Sequence, residues 1–264
     1  MKIALELKDM STWKKAFLIA DKKQSHGGCR RGGCHWKEGY SAHSLAEYFL
    51  NRHGKREIIE TLNVFLGDDP IETLDLGIIE CGCPFDADTR HPRWQDLGIW
   101  GKTQSNKTVF IGIEAKVNEE LGLVLGKQLQ AAEAEVARNS RSNRVKRIQN
   151  LCSWLHVSEN DEEIQKLRYQ LFHFTKATAD VDANICVLLL LTFKTKQYKL
   201  EDGERNANDW EAFMERFFDK ESEGNASNPK CIVGPVYSLR PEILNKLEQK
   251  DKKVYAVSMT VDLP

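Results

Sequence analysis

The stretch that most constrains this chain is ICVLLLL at residues 185–191, seven consecutive apolar residues without a charge. A bilayer-spanning helix needs roughly 18–20 such residues, so the run is too short for a membrane and has the length of a buried strand. The opening MKIALELKDMSTWKK lacks the apolar core of a signal peptide. The expectation is a cytoplasmic protein without membrane contact. A buried strand needs partners, and two other runs offer them. LDLGIIECGC (74–83) and KTVFIGIEAKV (107–117) carry the β-branched and apolar content of strands, with WQDLGIWG (94–101) between them, so the three can form a meander.

Helical spacing surrounds these runs. Residues 12–22 place Trp13, Ala16, Phe17 and Ala20 on one face; Ser41 reads as an N-cap before Ala42, Leu45, Ala46 and Phe49, and KREIIETLNVFL follows as a second helix. Beyond the meander, Leu125, Leu129, Ala132 and Val136 form one stripe, and Ile164, Leu167, Leu171 and Phe174 form another on a helix expected over 161–177. The last seventy residues add the helix-like NDWEAFMERFF and the strand-like KCIVGPVYSL and KKVYAVSMTVDL, while 201–208 and 221–229 read as polar surface loops. The order is that of one α/β domain. Lys and Arg number 38 against 39 Asp and Glu, a net charge of −1, which excludes a histone-like basic protein and an acidic tail protein.

Chemistry concentrates at Glu114-Ala115-Lys116, directly after VFIGI. Alternate residues of a strand share a face, so Glu114 and Lys116 emerge side by side from a run apolar enough to be central. With Asp96 brought alongside by the preceding strand, two carboxylates and the Ala115 carbonyl become hard oxygen ligands for Mg²⁺ or Mn²⁺, and Lys116 can orient and help deprotonate an attacking water. Asp75, Asp86 and Asp88 compete for the role of the first carboxylate. A surface ion pair at a strand end is the plain alternative for Glu114 and Lys116.

Asp96 followed by Glu114-Ala115-Lys116 resembles the active-site pattern of the PD-(D/E)XK nuclease superfamily. GYSAHSLAEYF, QDLGIWG, IGIEAKVNEELG and LRYQLFHFTKA together resemble an uncharacterised, largely bacterial family of that type. The resemblance covers about residues 36–193 and leaves 194–264 as a C-terminal α/β extension. It implies a restriction-endonuclease-like core, a mixed sheet flanked by helices with additional N-terminal helices. It further implies Asp96 and Glu114 as metal ligands, Lys116 as the catalytic lysine and Gln170 as the helix glutamine that points to such sites. Gln170 falls about 70° from its helix's apolar stripe, at the edge of burial, where a glutamine bonded to backbone is equally at home. Gln95, not proline, precedes Asp96. Glu47 is the candidate for a further carboxylate on the first helix, but it points roughly 140° from the apolar stripe and completes a capping box with Ser44, which favours a structural role.

Arg138, Arg141, Arg144, Lys146 and Arg147 lie together without an acid among them; such a run can neutralise backbone phosphates or form a solvated connector. Cys29, Cys34, Cys81 and Cys83 read as reduced thiols, with a structural Zn²⁺ as the alternative, although Cys-x4-Cys and Cys-x-Cys depart from finger spacing. Cys186, inside the apolar run, reads as core. No His spacing supports a zinc hydrolase, and no phosphate-binding Gly loop is present. The expected protein is a Mg²⁺-dependent nuclease acting on nucleic acid, DNA before RNA. The rival is a catalytically silent module that binds nucleic acid or protein. The C-terminal runs are open to extending the sheet, forming a homodimer interface or holding a partner.

Overall fold

A computed structural model of the protein describes residues 2–4, 10–15, 36–51, 54–86, 92–223, 231–247, 249 and 251–263. Eight strands form one mixed sheet: β1 (Lys2–Ala4), β2 (Ile71–Cys83), β3 (Arg93–Thr103), β4 (Thr108–Lys116), β5 (Ile185–Lys194), β6 (Phe218–Ser222), β7 (Cys231–Leu239) and β8 (Lys253–Asp262). Their spatial order is β1-β2-β3-β4-β5-β8-β7-β6. The expected meander is present, with β2 antiparallel to β3 and β3 antiparallel to β4. β4, β5 and β8 are mutually parallel along the centre.

The apolar run of β5 explains this arrangement. Every residue from 185 to 191 is 3% exposed or less, with alternate side chains in two separate hydrophobic clusters. A strand apolar on both faces is stable only between layers, and each such Leu or Ile gains about 1.5–3 kcal/mol from burial. One face is covered by α1 (Ser41–Asn51) and α2 (Gly54–Leu66), through Leu45, Tyr48, Phe49, Ile58 and Leu62. The other is covered by α3 (Leu125–Arg138), α4 (Arg144–Trp154), α5 (Glu162–Lys166), α6 (Tyr169–Ala179), α7 (Leu200–Phe217) and α8 (Pro241–Leu244). The C-terminal runs extend the same sheet, β8 pairing directly with β5. No helix among the described residues is long and apolar enough to cross a membrane.

Several local expectations are corrected. The helix expected over 161–177 is two helices, α5 and α6, because Leu167 and Arg168 are extended. The backbone there pairs with the chain before α3: Leu125 N–H donates to Leu167 O, and Tyr169 N–H to Leu123 O. Residues 201–208, expected as a loop, lie in α7, whose polar first turns still bury Gly203 and Asn206; 221 and 222 belong to β6. Arg144 and Arg147 belong to a helix, α4, rather than a connector. The capping box is also displaced, since α1 begins at Ser41 and leaves Ser44 buried inside the helix. The N-terminus of α1 is served instead by Glu119, whose Oε1 accepts the Ser41 N–H at 3.2 Å. Of the helix expected over 12–22, residues 10–15 are helical and the rest lie outside the described residues.

Candidate active site

β4 outruns its partner. The ladder between β3 and β4 pairs Leu97 with Ile113 and extends away from there, whereas β4 continues along β5 to Lys116 opposite Thr192. Past Ile113 the β3-facing edge of β4 therefore meets a side chain, and Ala115 N–H donates to Asp96 Oδ2 at 2.7 Å. A residue's N–H and C=O leave a strand on the same side, so the Ala115 carbonyl opens toward the same gap.

Glu114 and Lys116 share the face that carries α6. Lys116 Nζ donates to Glu114 Oε1 at 2.7 Å, and Gln170 Nε2 donates to that same oxygen. All three are buried, at 5%, 7% and 8% exposure. The surface ion pair is thus replaced by a buried network, and Gln170 bonds a carboxylate rather than backbone. Burial by itself would push the Lys116 ammonium down, but the charges of Glu114 and Asp96 prevail and hold its pKa above the ordinary value. Asp96 is raised well above the carboxylate range by burial first and by the nearby Glu114 charge second. Gln95, in place of proline, is buried and anchors β3 to α6 through Nε2 to Thr178 Oγ1 at 2.9 Å. Gly112 permits this: a Cβ there would lie 2.4 Å from Gln95 Oε1.

A further carboxylate was not legible beforehand. Glu80 on β2 stands opposite Asp96, between the register pairs Ile79–Leu97 and Cys81–Gln95, and adds to the negative field on Asp96. It adopts φ 49° in mid-strand, a conformation costly to a residue with a Cβ. There the alternation of β2 breaks: Ile79 packs on one face of the sheet and Cys81 on the other, two residues later. The adjacent apolar residues of IIEC were the signal that could have located this slip.

The remaining candidates separate cleanly. Asp75 is exposed and accepts from Thr73 Oγ1; Asp86 pairs with Arg147 at 2.6 Å; Asp88 lies outside the described residues. Glu47 sits 3.8 Å from His43 on its own helix. In the basic run, Arg147 also stacks over the Phe85 ring at 4.5 Å, and Arg144 pairs with Glu135. Arg138, Arg141 and Lys146 are exposed. Arg93, Arg144 and Arg147 together place positive charge around Tyr169, at the start of α6. One turn on, buried His173 lies edge-on to the Tyr169 ring at 4.9 Å. Cys81 and Cys83 are buried with sulfurs 3.7 Å apart, while Cys29 and Cys34 lie outside the described residues.

The donor set suits a hard cation. Asp96 and Glu114 supply carboxylates and Ala115 a carbonyl, and a cation bound there would offset the repulsion between the two carboxylates that helps to raise Asp96. Among the described residues no three His, Cys, Asp or Glu side chains converge to hold a metal. Mg²⁺ tolerates such a sparse set because it retains several waters.

Comparison with protein-family models matches residues 23–239 to a family described as "Domain of unknown function (DUF6946)". No curated protein matches the chain, and no solved structure does.

Proposed function

We propose, from the premise that this chain belongs to the DUF6946 family, that it is a Mg²⁺-dependent nuclease of PD-(D/E)XK type that hydrolyses phosphodiester bonds, DNA in preference to RNA. The observation that carries the reading is the convergence of Asp96 with Glu114 and Lys116 where β3 and β4 part. The sequence of an N-terminal helix, a three-stranded meander, helices and a parallel strand supports a restriction-endonuclease-like core.

Asp96, Glu114 and the Ala115 carbonyl would hold the cation. Bound there, Mg²⁺ or Mn²⁺ would polarise the phosphodiester and neutralise charge developing on its oxygens. Lys116 remains an ammonium, so its part is to orient the attacking water and face the growing negative charge rather than to take a proton at rest. Gln170 and Lys116 both grip Glu114 Oε1, which fixes the carboxylate and leaves Oε2 for the cation. The exposed Arg138, Arg141 and Lys146, with Arg144 and Arg147 behind them, would follow the substrate backbone.

Supercoiled and linear DNA incubated with Mg²⁺, Mn²⁺ or EDTA, with Lys116→Ala beside the wild type, tests the reading. The expected result is metal-dependent cleavage that falls by about 10²–10⁴-fold in the variant. Mg²⁺ should raise the melting temperature of the wild type and leave that of Asp96→Asn unmoved. An inert wild type without metal-linked stabilisation would move the assignment to a silent binding module.

A further inference from the structure

Beside the metal-binding residues, on the same face of the sheet, lies a cavity of about 270 Å³ between α7 and strands β5, β8 and β7. The register ties the two together. Glu114 pairs with Leu190 and Lys116 with Thr192; Leu190 pairs in turn with Ser258, and Thr192 with Thr260. Laterally paired residues share a face, so two rows run from the carboxylate and ammonium of β4 across the cavity floor. At about 4.8 Å per strand, the cavity starts one strand from Glu114 and Lys116 and continues for two more.

We infer that this cavity seats a single unstacked nucleobase flanking the scissile phosphodiester, an inference that rests on the nuclease reading above. The lining selects that occupant. Leu190 and Trp210 supply apolar surface, and the hydroxyls of Thr192, Ser258 and Thr260 can meet the polar edge of a heterocycle. Its charged residues are one cation, Lys194, against Glu204 and Glu211, a balance that repels a second phosphate and accepts a neutral ring. Trp210 is 3% exposed, and its indole N–H has no acceptor among the described residues, so a donor beside the cavity stands unsatisfied there. The volume falls below the range of pockets for drug-sized ligands and suits one planar group. A base stacked in a duplex cannot enter such a recess, so the substrate is single-stranded or loses one base from its stack at the cut.

The test uses the full chain and a single-stranded thymidine oligonucleotide carrying 2-aminopurine at one position at a time, with Ca²⁺ in place of Mg²⁺. The expected result is a fluorescence change at one position only, next to the bond cut when Mg²⁺ is restored. Ala207→Trp, at an exposed site on the cavity wall, should abolish that change and weaken binding by about 5–150-fold, the range of one lost base stack. Thr260→Val, which keeps the side-chain shape, should alter the base preferred at that position. A uniform or absent signal, or two variants that behave as wild type, would overturn the pocket while metal-dependent cleavage kept the nuclease assignment intact. A position-specific signal without cleavage in Mg²⁺ would retain the pocket and remove the nuclease.

Discussion

His173 shows how completely a side chain's chemistry is set by what faces it. It is buried beside the rings of Phe85 and Tyr169, within the field of Arg93 from β3, Arg147 from α4 and Lys116 from β4. Burial, then the charges of Arg93, Arg147 and Lys116, holds its pKa well below the ordinary 6.5. The folded protein therefore refuses a proton that the unfolded chain accepts, and stability is lost as pH falls below about 6.5. The slope approaches 1.4 kcal/mol per pH unit for one proton. His173→Phe should flatten the acid limb of a stability-against-pH curve measured by urea unfolding; an unchanged limb would show that His173 titrates normally. Glu114 and Lys116 were legible at this scale, because strand alternation places them on one face without long-range information, whereas Gln170 was pointed to by the family resemblance and its periodicity left a backbone-bonded role equally open. Glu80, Glu119 and Arg93 were not, because each acquires its role from a group on a different element.

At the scale of elements, periodicity found six of the eight described strands and most helices, passing over β1 and β6, and missed where tertiary contacts override it. The chain at 167–168 keeps a helical stripe, yet breaks because its backbone is claimed by residues 123–125. The Arg168 side chain holds that break, donating to Asp209, Glu120 and the Gly122 carbonyl. Helix ends are likewise completed from afar. Lys252 Nζ donates to Ala179 O and Val181 O at 2.7 and 2.6 Å, and Lys246 Nζ reaches Ser153 O and Trp154 O at the end of α4. A cation at a helix C-terminus satisfies orphan carbonyls and complements the dipole. Lys252→Met keeps the stem and deletes both bonds, so a loss of about 1–3 kcal/mol is expected, read as a lower urea midpoint at constant slope. A midpoint unchanged from wild type would contradict the capping role.

For the molecule as a whole, the last strand in sequence is not last in space. β8 lies between β5 and β7 and pairs with both, so the C-terminal residues complete the central parallel layer. Truncation after Leu239 would strip β5 of one edge and expose the apolar rows it shares with β8. The shortened chain is expected to aggregate or to lack a cooperative thermal transition. A soluble fragment with a sharp transition would refute this. The family match ends at 239, so the strand that closes the sheet lies beyond the matched residues. By itself the sequence determined what local periodicity can encode: a strand too apolar for an edge, a meander before it, helices on both sides, and a carboxylate and lysine sharing one strand face. Only the tertiary structure decided where β8 inserts, how β3 and β4 part to bring Asp96 against Ala115, why Glu80 leaves the strand conformation, and that a cavity adjoins the site. Those features depend on pairing between residues far apart in the chain, and such pairing leaves no period in the sequence that joins them.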